Sequence, residues 1–169
     1  MTNRNEHLLD WLCDAHAMEK QAETMLKGQS SRLKNYPDLK ARIDQHLQET
    51  LGQQTAIEGC ISRLGGSASV IKDIGGHLAA FGQAVGGMVM SDEVVKGSMA
   101  GYVFENIEIA TYTVLIEAAI AAGDAETKKV CEDILVQEKA MAHWILQNLP
   151  SVTIAFLTRS EHGDASAKR

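Results

Sequence analysis

Two prolines and an aromatic content of 5% leave this sequence short of the strongest helix breaker and of the aromatics common in strands. Long stretches of Ala, Leu, Glu, Lys and Gln take their place, and these favour helix. Basic clusters are missing too: 16 Lys and Arg face 22 Asp and Glu, the net charge is −6, and no window gathers five or more cations. Nucleic acid is therefore not an expected partner, because phosphate binding needs a concentrated basic face. No apolar run approaches the roughly 18 residues of a membrane span. Met1 to Glu6 lacks the apolar run of a signal peptide. Cys13, Cys60 and Cys131 are widely separated and form neither a CxxC pair nor a disulfide framework. A protein of the reducing cytoplasm is expected, with no membrane partner.

What is present reads as one all-α domain over 1–169. The ordered bundle should occupy about 5–157. Leu8, Leu12, Ala15, Ala22 and Leu26 recur at helical steps and predict a first helix from Asn5 to Leu33, broken at Tyr36-Pro37. A second helix fits Asp38 to Leu64 and stops at Gly65-Gly66. The segment Ser67 to Met90 sets Gly75, Gly76, Gly82, Gly86 and Gly87 among Ile71, Ile74, Leu78, Phe81 and Val85. A packed helix inside a crossover connection is the reading there. A phosphate loop would need a preceding strand or a Walker pattern, and neither is found. Ser91-Asp92-Glu93 reads as the cap of a third helix reaching Ala122 and ending at Gly123. A fourth should run from Asp124 to Leu149 and stop at Pro150. A short helix from Ser151 to Thr158 and a frayed polar tail over 161–169 follow.

Short links after helices one and three make each pair an antiparallel hairpin. The middle connection is long enough to return along a helix of ~40 Å at 1.5 Å per residue. Helices two and three then run parallel, up-down-down-up with one crossover, which is the arrangement of a ferritin-like four-helix bundle.

Several glutamates fall on the apolar stripes. Glu19 shares a face with Leu8, Leu12, Ala15, Ala22 and Leu26, and Glu49 with Ala56 and Cys60. Glu105 lies in line with Val94, Gly101, Ile109, Tyr112 and Ile116, with Glu108 one turn on. Glu138 lines up with Cys131, Ile134, Leu135, Ala142, Ile145 and Leu149. Glu19 to Glu49 and Glu105 to Glu138 are nearly equal separations, so two hairpins packed with pseudo-twofold symmetry would gather the carboxylates in one layer. Crowded buried carboxylates need protons or cations. A dinuclear metal centre meets that need, whereas any single glutamate on a stripe more often snorkels to solvent or pairs with a cation.

Asp14 to Gln21, His46-Leu47-Gln48-Glu49-Thr50, Glu105 to Tyr112 and Glu138-Lys139, with Trp11 and Gly101 to Glu105, resemble the YciE/YciF family of bacterial stress-associated proteins, the YciE branch most closely. The resemblance runs from about Asn5 to Leu157. It implies a ferritin-like bundle related to rubrerythrin-like di-iron proteins and a homodimer, and it implies no particular reaction. The usual site of that superfamily takes two Glu-x-x-His pairs. Here Gly52 follows Glu49 by three residues and Met141 follows Glu138, so both histidines are absent and the site reads as degenerate. His143 falls roughly 140° round the helix from Glu138.

The ligand set expected is Glu19, Glu49, Glu105, Glu108 and Glu138, with an amide oxygen from Gln53. His16 and His46, each one turn before a glutamate, would hydrogen-bond a carboxylate, cap the layer or bind metal directly. Tyr102 and Tyr112 could hydrogen-bond the carboxylates or fill the core. The cysteines and methionines read as core filler. Such an oxygen-rich set suits Mg, Mn or ferrous iron better than zinc. The leading reading is a stress-response protein with a degenerate di-iron-like site that, if active, reduces peroxide or oxygen. The alternative is a non-enzymatic dimeric module whose buried polar layer is metal-free and sets helix register. Metal storage would need a cage-forming assembly.

Overall fold

The computed structural model describes residues 3–66 and 92–167, and these form four long helices. They are α1 (Arg4–Arg32), α2 (Pro37–Arg63), α3 (Glu93–Ala122) and α4 (Ala125–Glu161). The crossover reading of Ser67 to Met90 lies outside the described residues. Among the described residues no helix is long and apolar enough to cross a membrane.

The helix ends follow local chemistry. The Asn3 side chain accepts the Glu6 N–H at 3.0 Å while the Glu6 carboxylate accepts the Asn3 N–H at 2.9 Å, a capping box that starts α1. Pro37 opens α2, at a position whose N–H has no helical partner in any case. After α2, Gly65 adopts a positive φ of 83°. At Gly66 an added Cβ would lie 2.6 Å from Ile61 Cγ2 and 2.8 Å from Leu9 Cδ1, so a larger residue would force those side chains to move. Gly123, at φ 76°, ends α3, and Asp124 accepts the Thr127 N–H at 3.0 Å to start α4.

Contacts between helix ends fix the directions. Arg4 at the start of α1 donates to the Ala121 carbonyl at the end of α3 at 3.0 Å, and Arg32 at the end of α1 pairs with Glu93 at the start of α3. Arg63 closes α2 against Asp124 at the head of α4, at 3.0 Å. Gln54 of α2 reaches Glu23 of α1 at 2.9 Å, and Ser30 bonds Asp44. Each of these helix pairs is therefore antiparallel, and α2 and α3 run parallel, as the ferritin-like topology requires.

Two features depart from expectation. α4 does not stop at Pro150 but continues unbroken to Glu161. A proline removes one backbone bond from a helix. Here Pro150 is exposed, while Val152 is buried and Ala155 and Phe156 pack against the apolar cluster beyond, holding the helix straight through. The polar tail does not fray up to Ala167: that residue is buried, Tyr36 donates its hydroxyl to the Ala167 carbonyl, and Asn35 donates to the Ser166 carbonyl at 3.1 Å.

Among the described residues the apolar core comes in two halves. One gathers Leu8, Leu12, Ile57, Ile61, Leu115 and Cys131; the other gathers Leu26, Leu39, Ile43, Val94, Met141 and Ile145. Between them lies a layer of buried polar side chains.

Candidate metal centre

Glu19, His46, Gln53, Glu105, Glu108 and Glu138 form that layer, none of them more than 4% exposed. All four helices contribute: Glu19 from α1, His46 and Gln53 from α2, Glu105 and Glu108 from α3, Glu138 from α4. His46, Glu105, Glu108 and Glu138 each offer one ligand atom within 4.8 Å of the others, and such a cluster could hold a metal ion.

His46 is the pivot. Its Nδ1 lies 2.7 Å from Glu49 Oε2, and its Nε2 lies 3.3 Å from Glu105 Oε2 and 3.5 Å from Glu138 Oε2. Those last two contacts attract electrostatically but are not aligned as hydrogen bonds, so both oxygens still lack a hydrogen-bond partner. Tyr112, wholly buried, donates its hydroxyl to Glu19 Oε1. Gln53 gives its amide N–H to Glu138 Oε1 and to Gln137 Oε1, the latter at 2.9 Å.

Among the described residues, one buried oxygen on each of Glu19, Gln53, Glu105, Glu108 and Glu138 remains without a hydrogen-bond partner. A buried carboxylate without partners is costly, and protons or cations are what relieve it. Burial lifts Glu19 to about 8, helped by the charge of Glu138. Burial likewise lifts Glu105 to about 7, with His46 opposing. Glu108 rises well above the carboxylate range through burial and the neighbouring Glu138, Glu105 and Glu19. Burial alone would lower the His46 imidazole, but the surrounding carboxylates of Glu105, Glu138 and Glu49 outweigh it and raise the ring to about 12. Without metal, protons hold the layer together.

Of the residues singled out from the sequence, Glu19, Gln53, Glu105, Glu108 and Glu138 come together here. Glu49 does not join them. Its side chain is 20% exposed and accepts from Arg42 at 3.3 Å, from Gln45 at 2.9 Å and from His46. His16 turns to Glu58 of α2 at 2.8 Å, His143 is exposed, and Tyr102 lines a surface groove with Trp11. The central place of His46 was visible as a pattern: Ile43, His46, Thr50, Gln53, Ile57 and Cys60 repeat at alternating three- and four-residue steps, and all are buried.

A family model described as "Domain of unknown function (DUF892)" matches residues 3–158. The chain belongs to the DUF892 family. A protein from Xanthomonas campestris pv. campestris of solved structure is 40% identical to this DUF892 chain, covering 94% of it and 99% of its own length at a TM-score of 0.80. The Escherichia coli stress protein YciF is 21% identical over 88% of the chain and 96% of its own, with a TM-score of 0.70. YcfI from Rhodopseudomonas palustris is 23% identical over 85% and 93%, with a TM-score of 0.69. These likenesses bear out the YciE/YciF resemblance and the ferritin-like fold of this DUF892 protein.

The residues present also fit a metal. The donor set is one imidazole nitrogen and several carboxylate oxygens, with unpartnered oxygens turned into the layer and no cysteine in the cluster.

Proposed function

We propose that this protein binds divalent metal in the layer between its two apolar halves and acts in the bacterial stress response. His46, Glu105, Glu108 and Glu138 are the ligands, and Glu19, held by Tyr112, completes the set. The observation that carries the reading is the crowd of buried, unpartnered carboxylate oxygens, which a dication satisfies at once. Ferrous iron and Mn match one imidazole among carboxylates, Mg matches the oxygens alone, and zinc with its preference for nitrogen and sulfur matches least. A bound redox metal would supply electrons for reducing peroxide or dioxygen. The chain's own residues bind it, hold it away from bulk water and exchange protons for its charge. The stress assignment rests on the likeness to YciF.

A metal-free polar layer is less well supported. The imidazole, the Gln53 amide and the Tyr112 hydroxyl leave one oxygen on each of four carboxylates without a hydrogen bond, so a metal-free network closes only by protonating the carboxylates themselves. The test is elemental analysis of protein purified without chelators, followed by titration of the stripped protein with Mn2+ and, anaerobically, with ferrous iron. Binding that Glu138→Gln weakens strongly supports the reading. A wild-type protein that takes up neither ion removes it.

A further inference from the structure

Glu49 sits one helical turn from His46, on the same helix and beside the cluster, yet its chemistry differs from that of the other glutamates. Glu19, Glu105, Glu108 and Glu138 each keep a buried oxygen with no hydrogen-bond partner. Both oxygens of Glu49 are engaged: Oε2 by His46 Nδ1 at 2.7 Å and by Arg42 Nη1 at 3.3 Å, Oε1 by Gln45 Nε2 at 2.9 Å. Neither oxygen is left without a donor, and Oε2, the one turned to the imidazole, already accepts two hydrogen bonds.

What Glu49 does have is a grip on the imidazole. A carboxylate paired with arginine can only accept, so the ring nitrogen facing it carries a hydrogen. The other nitrogen, Nε2, is the one that points at Glu105 and Glu138. We infer that Glu49 is a positioning residue rather than a ligand: anchored by Arg42 and Gln45, it fixes the orientation and tautomer of His46 so that Nε2 presents its lone pair to the metal. The inference rests on the metal-binding reading above. Carboxylates that hold a ligating histidine in this way typically contribute 10–100-fold in metal affinity.

The test compares Mn2+ affinity and thermal stability in wild type, Glu49→Gln and Glu49→Ala, each also made with His46→Asn. Glutamine keeps an acceptor for the Nδ1 hydrogen, so Glu49→Gln should stay within a few-fold of wild type. Glu49→Ala should lose about 10–100-fold. With His46→Asn in place, removing Glu49 should weaken Mn2+ binding no further, because its effect passes through the imidazole. Equal losses in Glu49→Gln and Glu49→Ala, or an undiminished loss beside His46→Asn, would make Glu49 a ligand and overturn the inference. A fall in Tm with Mn2+ affinity unchanged would overturn it as well, by marking a merely structural role. If the double variants do not fold, the Gln and Ala comparison alone decides. Wild-type protein that binds no Mn2+ fails the metal reading and this inference together. Wild type that binds while Glu49→Ala binds equally well fails only this inference.

Discussion

Glu19→Gln is the sharpest probe of the crowded carboxylates. Glu19 is fully buried, its pKa stands at about 8, and glutamine preserves an acceptor for the Tyr112 hydroxyl. Its unfolded reference is 4.5. Because the folded value is the higher one, the folded chain holds a proton that the unfolded chain releases above pH 4.5. Its contribution to stability is complete below 4.5 and is lost as pH rises through about 8. One such proton corresponds to about 1.4 kcal/mol per pH unit. Chelator-treated wild type should therefore lose about 1.4 kcal/mol more per pH unit than Glu19→Gln between pH 5 and 7. For a chain of this size that is ~3–5 °C in Tm per pH unit. The assay is a set of thermal melts of both proteins with chelator, checked by urea denaturation at each pH. With Mn2+ in place of chelator, the wild-type deficit at high pH should shrink or reverse, since the metal binds the deprotonated layer. Parallel pH profiles in chelator would show that Glu19 titrates alike in both states, and the crowding argument would fall.

Other outcomes follow from the same geometry. Replacing His46 by Asn strips Glu105 and Glu138 of their cationic neighbour and should destabilise the metal-free protein at pH 7 by ~3–5 kcal/mol; a loss below about 1 kcal/mol in urea denaturation would mean that the imidazole is not balancing those carboxylates. Pro150→Ala restores a backbone N–H inside α4 and should raise Tm, because proline in a helix interior is about 3 kcal/mol worse than alanine. An unchanged or lower Tm would show that the missing backbone bond costs α4 nothing in this bundle. We also propose that the chain pairs with a second copy. From Ala140 to Thr158 the sequence holds no Asp, Glu, Lys or Arg, yet Leu146, Ile154 and Leu157 are 50%, 62% and 47% exposed. Light scattering at micromolar concentration should give a dimer that Ile154→Lys with Leu157→Lys dissociates; a monomeric wild type refutes it.

The helix boundaries were legible because their punctuation is local. Pro37, Gly65-Gly66 and Gly123 act within a residue or two of where they stand. Pro150 misled for the complementary reason: whether a proline ends a helix depends on what lies beyond it, and Val152 and Phe156 find apolar partners only in the folded bundle. The carboxylate layer was legible from periodicity, since buried stripes with glutamates are rare. The choice between Glu49 and His46 was not settled by inspection of single pairs. Three residues apart on a helix differ by about 60° in direction, so a small rotation of α2 decides which one enters the core. That rotation is set by the whole face from Ile43 to Cys60, including Thr50 and Gln53.

α4 is one uninterrupted rod that passes through both apolar halves with Glu138 between them. Cys131 and Ile145 flank that glutamate at two turns on either side, about 10 Å along the axis, one seated in each half. A rigid helix passes an axial shift along its length with little loss. The reach of Glu138 toward His46 is thus set by packing in two separate places, and a methylene added or removed around Ile145 acts as a fine adjustment on a carboxylate two turns away.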